Sequence, residues 1–230
     1  MPCNEWIRSR VRGKTFADVG GLWGTDRERV TVAAQAGASR TAMIDITELD
    51  HELWHQFHAR CEEQGVTCDA SLQANIDDPG LASRVGRYDI VHCAGVIYHC
   101  PNPLHTVSQL ASITGETLIL GSVIIPPVIE NTAAGLRVEN NSALFVPSLS
   151  ESQRTTVAQY FEEVGARIYG INMPLARGWS PDDYTPWWYL FTAGFIAGLV
   201  SVCGFKILDS VPEWHGRAAY FLAERIREHS

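Results

Sequence analysis

Lys14-Thr15-Phe16-Ala17-Asp18-Val19-Gly20-Gly21-Leu22-Trp23-Gly24 runs from apolar residues through an acidic one into a glycine-rich bend. The polar run Thr25-Asp26-Arg27-Glu28-Arg29 follows, opened by a residue type that caps helices. Together they predict a buried strand, a tight turn and a helix. Gly20 and Gly21 carry no Cβ and tolerate positive φ, so backbone N–H groups there can lie against a ligand. A helix starting behind the bend aims its positive end at the same spot, which suits a nucleotide-like cofactor. The dinucleotide fingerprint G-x-G-x-x-G is not met, because its third and sixth positions, counted from Gly20, are Leu22 and Thr25.

Working outward, Val30 to Ala36 continues the helix, and Gly37 can end it. Thr41-Ala42-Met43-Ile44 reads as a second buried strand closing on Asp45, although Asp45 and Thr47 also suit a helix N-cap. Leu49 to Glu63 reads as a polar-rich helix whose His51 and His55 share a face at i, i+4. With no third ligand evident, no metal site is assigned to them. Val66-Thr67-Cys68 reads as a third strand, followed by the loop Gln73-Ala74-Asn75-Ile76-Asp77-Asp78-Pro79. A fourth strand starts at Tyr88-Asp89 and leads into Cys93-Ala94-Gly95-Val96-Ile97-Tyr98-His99. Leu104 to Ser112 is a helix that Gly115 breaks, and Thr117 to Ser122 is a fifth strand. This alternation predicts an α/β fold with a mainly parallel sheet covered on both faces.

The two glycine-bearing strand ends resemble class I S-adenosylmethionine-dependent methyltransferases. Asp18, Gly20 and Gly24 fall on the first motif of that superfamily, D-x-G-x-G-x-G, and Leu22 stands where its middle glycine would be. Gly95-Val96-Ile97-Tyr98-His99, with the turn Asn102-Pro103, resembles the fourth-strand motif of a subgroup carrying G-V-[LI]-Y-H. Cys203-Gly204-Phe205 resembles the turn into its sixth strand, Lys206 to Val211, and Ala218 to Leu222 its antiparallel last strand.

The resemblance implies a Rossmann-like, doubly wound sheet of seven strands and S-adenosyl-L-methionine as cofactor. Asp18, Gly20, Gly21, Leu22 and Gly24 would form the cofactor turn, and Trp23 would flank the methionine portion or pack under the helix. Asp45 would accept hydrogen bonds from the ribose hydroxyls. Asn75 would bond the adenine and Ile76 pack on its face, with Asp69 and Asp77 as alternative readers of the base. Cys93 and Ala94 would offer backbone groups to the methionine portion, and Asp89 would be structural.

Residues 1–230 read as one methyltransferase domain with 123–189 as an unmatched insertion. Because Met1 to Arg12 looks short and polar, this insertion is the expected lid and substrate platform. It holds a helix expected over Ser150 to Val164 and the aromatic residues Trp179, Tyr184, Trp187 and Trp188, which suit a flat or apolar acceptor; core packing explains them as well. His99 is the first candidate for a base and Tyr98 for a shared hydrogen bond to the acceptor; the alternative is that His99 only shapes the pocket. His92 and His215 read as structural.

An apolar content of 46% and a charged content of 19% describe an ordinary globular chain. A net charge of -8, with Lys14 and Lys206 as the only lysines, argues against a nucleic-acid surface. The six cysteines form no C-x-x-C pair, which points to reduced thiols in a cytoplasmic protein. No signal-peptide pattern opens the sequence. Trp187 to Phe205 lacks charge but is interrupted by glycines and hydroxyl residues, so it reads as a buried helix running into a turn rather than a membrane span. The leading function is methyl transfer to oxygen or nitrogen of a small molecule. A tRNA wobble-uridine-type modifying enzyme, a non-catalytic cofactor-binding module and an oxidoreductase on a related fold are the alternatives, and a homodimer stays open.

Overall fold

Residues 16–19, 41–45 and 90–93 are buried without interruption, the pattern of strands covered on both faces. The computed structural model describes residues 2–24, 28–130 and 135–226. In chain order its elements are α1 (Pro2–Arg10), β1 (Thr15–Val19), α2 (Val30–Gln35), β2 (Arg40–Asp45), α3 (Glu52–Glu63), β3 (Ala70–Gln73), α4 (Leu81–Val85), β4 (Tyr88–Ala94), α5 (Pro103–Ile113) and β5 (Thr114–Val123). The short strands β6 (Val128–Glu130), β7 (Gly135–Arg137) and β8 (Ala143–Phe145) follow, then α6 (Glu151–Glu162), β9 (Tyr189–Phe191), α7 (Ala193–Val202), β10 (Phe205–Glu213) and β11 (Ala218–Arg225).

Seven strands form one sheet in the order β10-β11-β5-β4-β1-β2-β3. The five strands from β3 to β5 in that order run parallel, while β11 is antiparallel to both β5 and β10. This is the doubly wound, Rossmann-like sheet expected from the sequence. Alternate side chains divide the core. Phe16, Ile90, Ile119 and Leu222 pack with Cys3, Ile7 and Val11 around α1, and Met43 packs with Trp54 and Phe57 of α3. Val91, Leu118, Leu120 and Phe221 face Val107 and Leu110 of α5 and Ile196 and Val200 of α7. The winding reverses between β1 and β4, so their carboxyl ends border the crevice where open sheets bind ligands.

Several local expectations are corrected. Residues 2–10 are a helix, because Cys3 and Ile7 form a fully buried stripe against the sheet. The third strand is Ala70–Gln73, not Val66-Thr67-Cys68: the Asp69 carboxylate takes hydrogen bonds from Thr41 N and Oγ1 at 2.7 and 3.2 Å, which sets the strand's register after it. Gly115 lies inside β5 rather than breaking a helix, where a Cβ would meet Tyr88 O at 3.2 Å. Tyr189–Phe191 is a strand paired with β8, so the apolar helix starts only at Ala193. The cap of α3 is His51, whose Nδ1 accepts from Leu53 N at 3.2 Å, and not Asp45 or Thr47. Thr25, Asp26 and Arg27, the expected helix start, lie outside the described residues; α2 runs from Val30. Among the described residues no helix is long and apolar enough to cross a membrane.

Within residues 123–189, Val146, Val157, Phe161 and Ile168 gather in one cluster, which Leu190 and Tyr98 join from outside that segment. The segment's helix α6 is held by a capping box between Ser150 and Gln153.

Candidate functional site

Gly20 turns the chain at the end of β1 with φ +75°, and a Cβ there would stand 2.3 Å from Val96 Cγ2. Only glycine allows the first strand's turn and the segment after β4 to approach so closely. Gly21 is equally confined, since its Cβ would fall 2.7 Å from Asp18 Oδ2 and 2.8 Å from Met43 Cε. Asp18 itself is turned away from the crevice. It is 1% exposed, its Oδ1 lies 2.7 Å from His92 Nδ1 and its Oδ2 accepts from Arg29 N at 2.6 Å. Asp18 therefore braces β1 to β4 and to the start of α2. Glu28 completes that start by accepting from Thr31 N and Oγ1 at 3.0 and 2.5 Å.

A cavity of about 680 Å³ opens over the carboxyl ends of β1, β2, β3 and β4, within the range of small-molecule sites. Of the residues singled out in the sequence, Gly20, Asp45, Asn75, Ile76, His99, Tyr184 and Trp187 line it. Asp45 is almost fully buried, and its Oδ1 accepts from Thr47 N and Oγ1 at 2.9 and 2.6 Å. Its Oδ2 takes only a 3.4 Å contact from Leu22 N, so acceptor capacity remains on the cavity side. Asn75 Oδ1 accepts from Asp77 N at 2.9 Å. Asp77 is turned elsewhere, binding Thr106 Oγ1 at 2.6 Å and Tyr184 Oη at 3.0 Å, and Asp69 sits at the opposite end of β3. The exposed Ile46 and Trp23 and the half-buried Val96 also line the cavity. Ile46 and Val96 were missed in the sequence, although both directly follow a singled-out position or glycine.

A second cavity, about 430 Å³, lies over β4, β5 and β11 and shares Gly95 and Trp187 with the first. Ala94 and Tyr98 line it, together with Ser122, Glu213, Trp214 and Tyr220. Asp18, Gly21, Leu22, Cys93, Trp179 and Trp188 line neither cavity, and the surroundings of Gly24 lie outside what is described. Leu22 and Cys93 are fully buried in the core, and Trp179 and Trp188 pack on each other with ring centroids 5.0 Å apart.

Tyr98 and His99 stand where the cavities meet, on the short 3₁₀ turn Ile97–His99. Their rings are 4.5 Å apart and lie 4.8 and 6.4 Å from the Trp187 ring. Burial pushes the Tyr98 hydroxyl up, so it stays protonated at neutral pH. Burial lowers His99 below the ordinary histidine value, partly offset by its hydrogen bond to the Pro186 carbonyl at 3.1 Å. A neutral ring that donates from Nδ1 to that carbonyl keeps its lone pair on Nε2. Residues 182–187 form the outer wall of the larger cavity, tied down by Tyr184 Oη to Asp77 and by Trp188 N to Tyr98 O at 2.8 Å.

No protein-family model and no curated protein matches the sequence. Solved structures do match. The chain is similar to magnesium protoporphyrin IX methyltransferase of Synechocystis PCC 6803 with bound SAH, at 18% identity over 97% of this chain and 80% of that one, with a TM-score of 0.57. The seven-stranded sheet is a methyltransferase fold. The same fold recurs in the 1,6-didemethyltoxoflavin-N1-methyltransferase of Burkholderia thailandensis, bound to 1,6-didemethyltoxoflavin and S-adenosylhomocysteine, at 14% identity over 98% and 77% of the two chains and a TM-score of 0.56. An O-methyltransferase family protein of Burkholderia thailandensis matches at 12% identity over 99% of this chain and 56% of its own length, with a TM-score of 0.59.

Proposed function

We propose that this chain is an S-adenosylmethionine-dependent methyltransferase acting on oxygen or nitrogen of a small molecule. The observation that carries the reading is the larger cavity. A glycine turn, a nearly buried carboxylate with spare acceptor capacity and an amide beside an isoleucine follow one another around it, each at the carboxyl end of a parallel strand. The bound ligands named for the structural neighbours support the same cofactor. So does Gly95-Val96-Ile97-Tyr98-His99, which resembles the subgroup motif and forms the junction of the cavities.

In this reading Gly20 and Gly95 give the cofactor room beside the backbone, Asp45 accepts from its ribose, and Asn75, Ile46 and Ile76 hold its base. The cofactor, when bound, supplies a methyl carbon activated by a sulfonium charge. Gly95 and Trp187, shared by the two cavities, would leave an acceptor held in the smaller one open to the cofactor held in the larger one. His99 takes the proton that the acceptor loses, Tyr98 orients the acceptor by a hydrogen bond, and residues 123–189 exclude water as a lid. The acidic balance of the chain favours a small molecule over tRNA.

Titration calorimetry tests the assignment. S-adenosylhomocysteine is expected to bind with one site per chain and NAD not at all. Asp45→Asn is expected to weaken that binding about tenfold, the loss of one charge-assisted hydrogen bond. A chain indifferent to S-adenosylhomocysteine would remove the assignment and leave only the fold.

A further inference from the structure

Glu213 is the only charged side chain lining the smaller cavity among the described residues. The rest of the lining is aromatic, aliphatic or hydroxyl, and no lysine or arginine stands among it. Glu213 ends β10, paired with Ala218 of β11, and is half-buried. No hydrogen bond or ion pair within the described chain engages its carboxylate, unlike Glu163, Glu116 and Glu28, each of which has a basic partner. A carboxylate left without a partner beside apolar walls favours a ligand that brings its own positive charge or N–H donors.

The turn that follows is built at a cost. Trp214 and His215 take φ of +49° and +55°, in a region where a hairpin turn ordinarily places Asn or Gly. Each bulky residue there gives up about 1 kcal/mol or more. Arg217 holds the turn in place. Its Nε and Nη2 donate to the Tyr160 carbonyl at 2.9 and 2.8 Å, its guanidinium lies 4.1 Å from the Tyr160 ring, and it pairs with Glu163. The strained backbone sets the Trp214 indole on the cavity wall, 5.9 Å from the Phe161 ring of α6. Trp187 forms the wall at the junction with the larger cavity.

We infer that this cavity selects a flat acceptor bearing a protonated amine, with Glu213 holding the cation and Trp214 and Trp187 flanking the apolar body. Glu213 and Trp214 are thus specificity-determining residues. The inference rests on the placement of the acceptor in the smaller cavity proposed above.

A matched pair of indoles with opposite charge provides the test: tryptamine and indole-3-propionate, titrated by calorimetry into the purified chain with and without saturating S-adenosylhomocysteine. The wild-type chain is expected to bind tryptamine at least about tenfold more tightly than indole-3-propionate. Glu213→Gln is expected to remove most of that preference and Glu213→Lys to reverse it. Trp214→Ala should weaken both probes alike. Equal affinities in the wild-type chain, a preference unchanged in Glu213→Gln, or no binding of either probe at millimolar concentration overturns the inference. Affinity for S-adenosylhomocysteine, read in the same titrations, is expected to be unchanged in all three variants. Its absence in the wild-type chain would strike the cofactor assignment instead, while the charge preference is still read from the titrations without it.

Discussion

Replacing His99 with Gln is expected to lower the methyl-transfer rate by about a hundredfold or more, the usual contribution of a placed general base. Affinity for S-adenosylhomocysteine should stay within about twofold, because the amide preserves the volume and the donor toward the Pro186 carbonyl. Transfer is measured with labelled donor on an acceptor drawn from a metabolite extract, and turnover equal to wild type would reduce His99 to a wall of the pocket. The pH dependence carries the same expectation in another form. Burial favours the uncharged ring and lowers the His99 pKa below its ordinary 6.5. The working form is the neutral one, so the rate should be level near pH 7 and fall as pH drops through that lowered value. In the His99→Gln enzyme this acid limb should vanish. An NMR titration of the His99 ring needs no acceptor; a midpoint at or above 6.5 would contradict the geometry from which its role is inferred.

The framework of the fold was legible because its strands are central. Phe16 to Val19 and Ile90 to Cys93 are apolar apart from Asp18 and His92 and are buried without a break, since helices cover both faces of the sheet. Asp45, Asn75 and His99 were legible as candidates because Asp45 closes β2 while Asn75 and His99 follow the carboxyl ends of β3 and β4, the edge where an open sheet binds ligands. β3 was placed wholly ahead of its true position, at Val66 to Cys68 instead of Ala70 to Gln73, because β-branched Val66 and Thr67 outweighed the less strand-like Ala70 and Ser71. The smaller cavity was not legible at all. It depends on β11 inserting between β5 and β10, which brings Glu213 and Trp214 beside Gly95, more than a hundred residues earlier in the chain. Nothing in the local sequence Pro212-Glu213-Trp214-His215-Gly216 records that neighbour. Trp179 and Trp188, by contrast, advertised a binding platform by residue type and turned out to pack on each other.

Asp18→Ala is expected to cost about 3 kcal/mol of stability, from two buried donors losing their acceptor at once. The period of two along a strand anticipates this. Asp18 shares its face of β1 with Phe16, toward α1 and α2, whereas Ala17 and Val19 face the opposite side. On that face the removed carboxylate would take the acceptor from His92 Nδ1 and Arg29 N, in a place where His92 Nε2 already has no hydrogen-bond partner among the described residues. For a chain of this length the loss corresponds to a fall in Tm of roughly 6–12 °C. Asp18→Asn keeps an acceptor oxygen and should recover a substantial part of it. A double variant with His92→Ala should be little worse than Asp18→Ala alone, because the two residues share one contact. A direct cofactor contact would give the opposite signature: Asp18→Asn would then bind S-adenosylhomocysteine poorly while melting like the wild-type chain. With a brace, affinity per folded molecule stays near wild type in Asp18→Asn and the melting temperature moves, so a calorimetric titration and a melting curve on one sample separate the two roles.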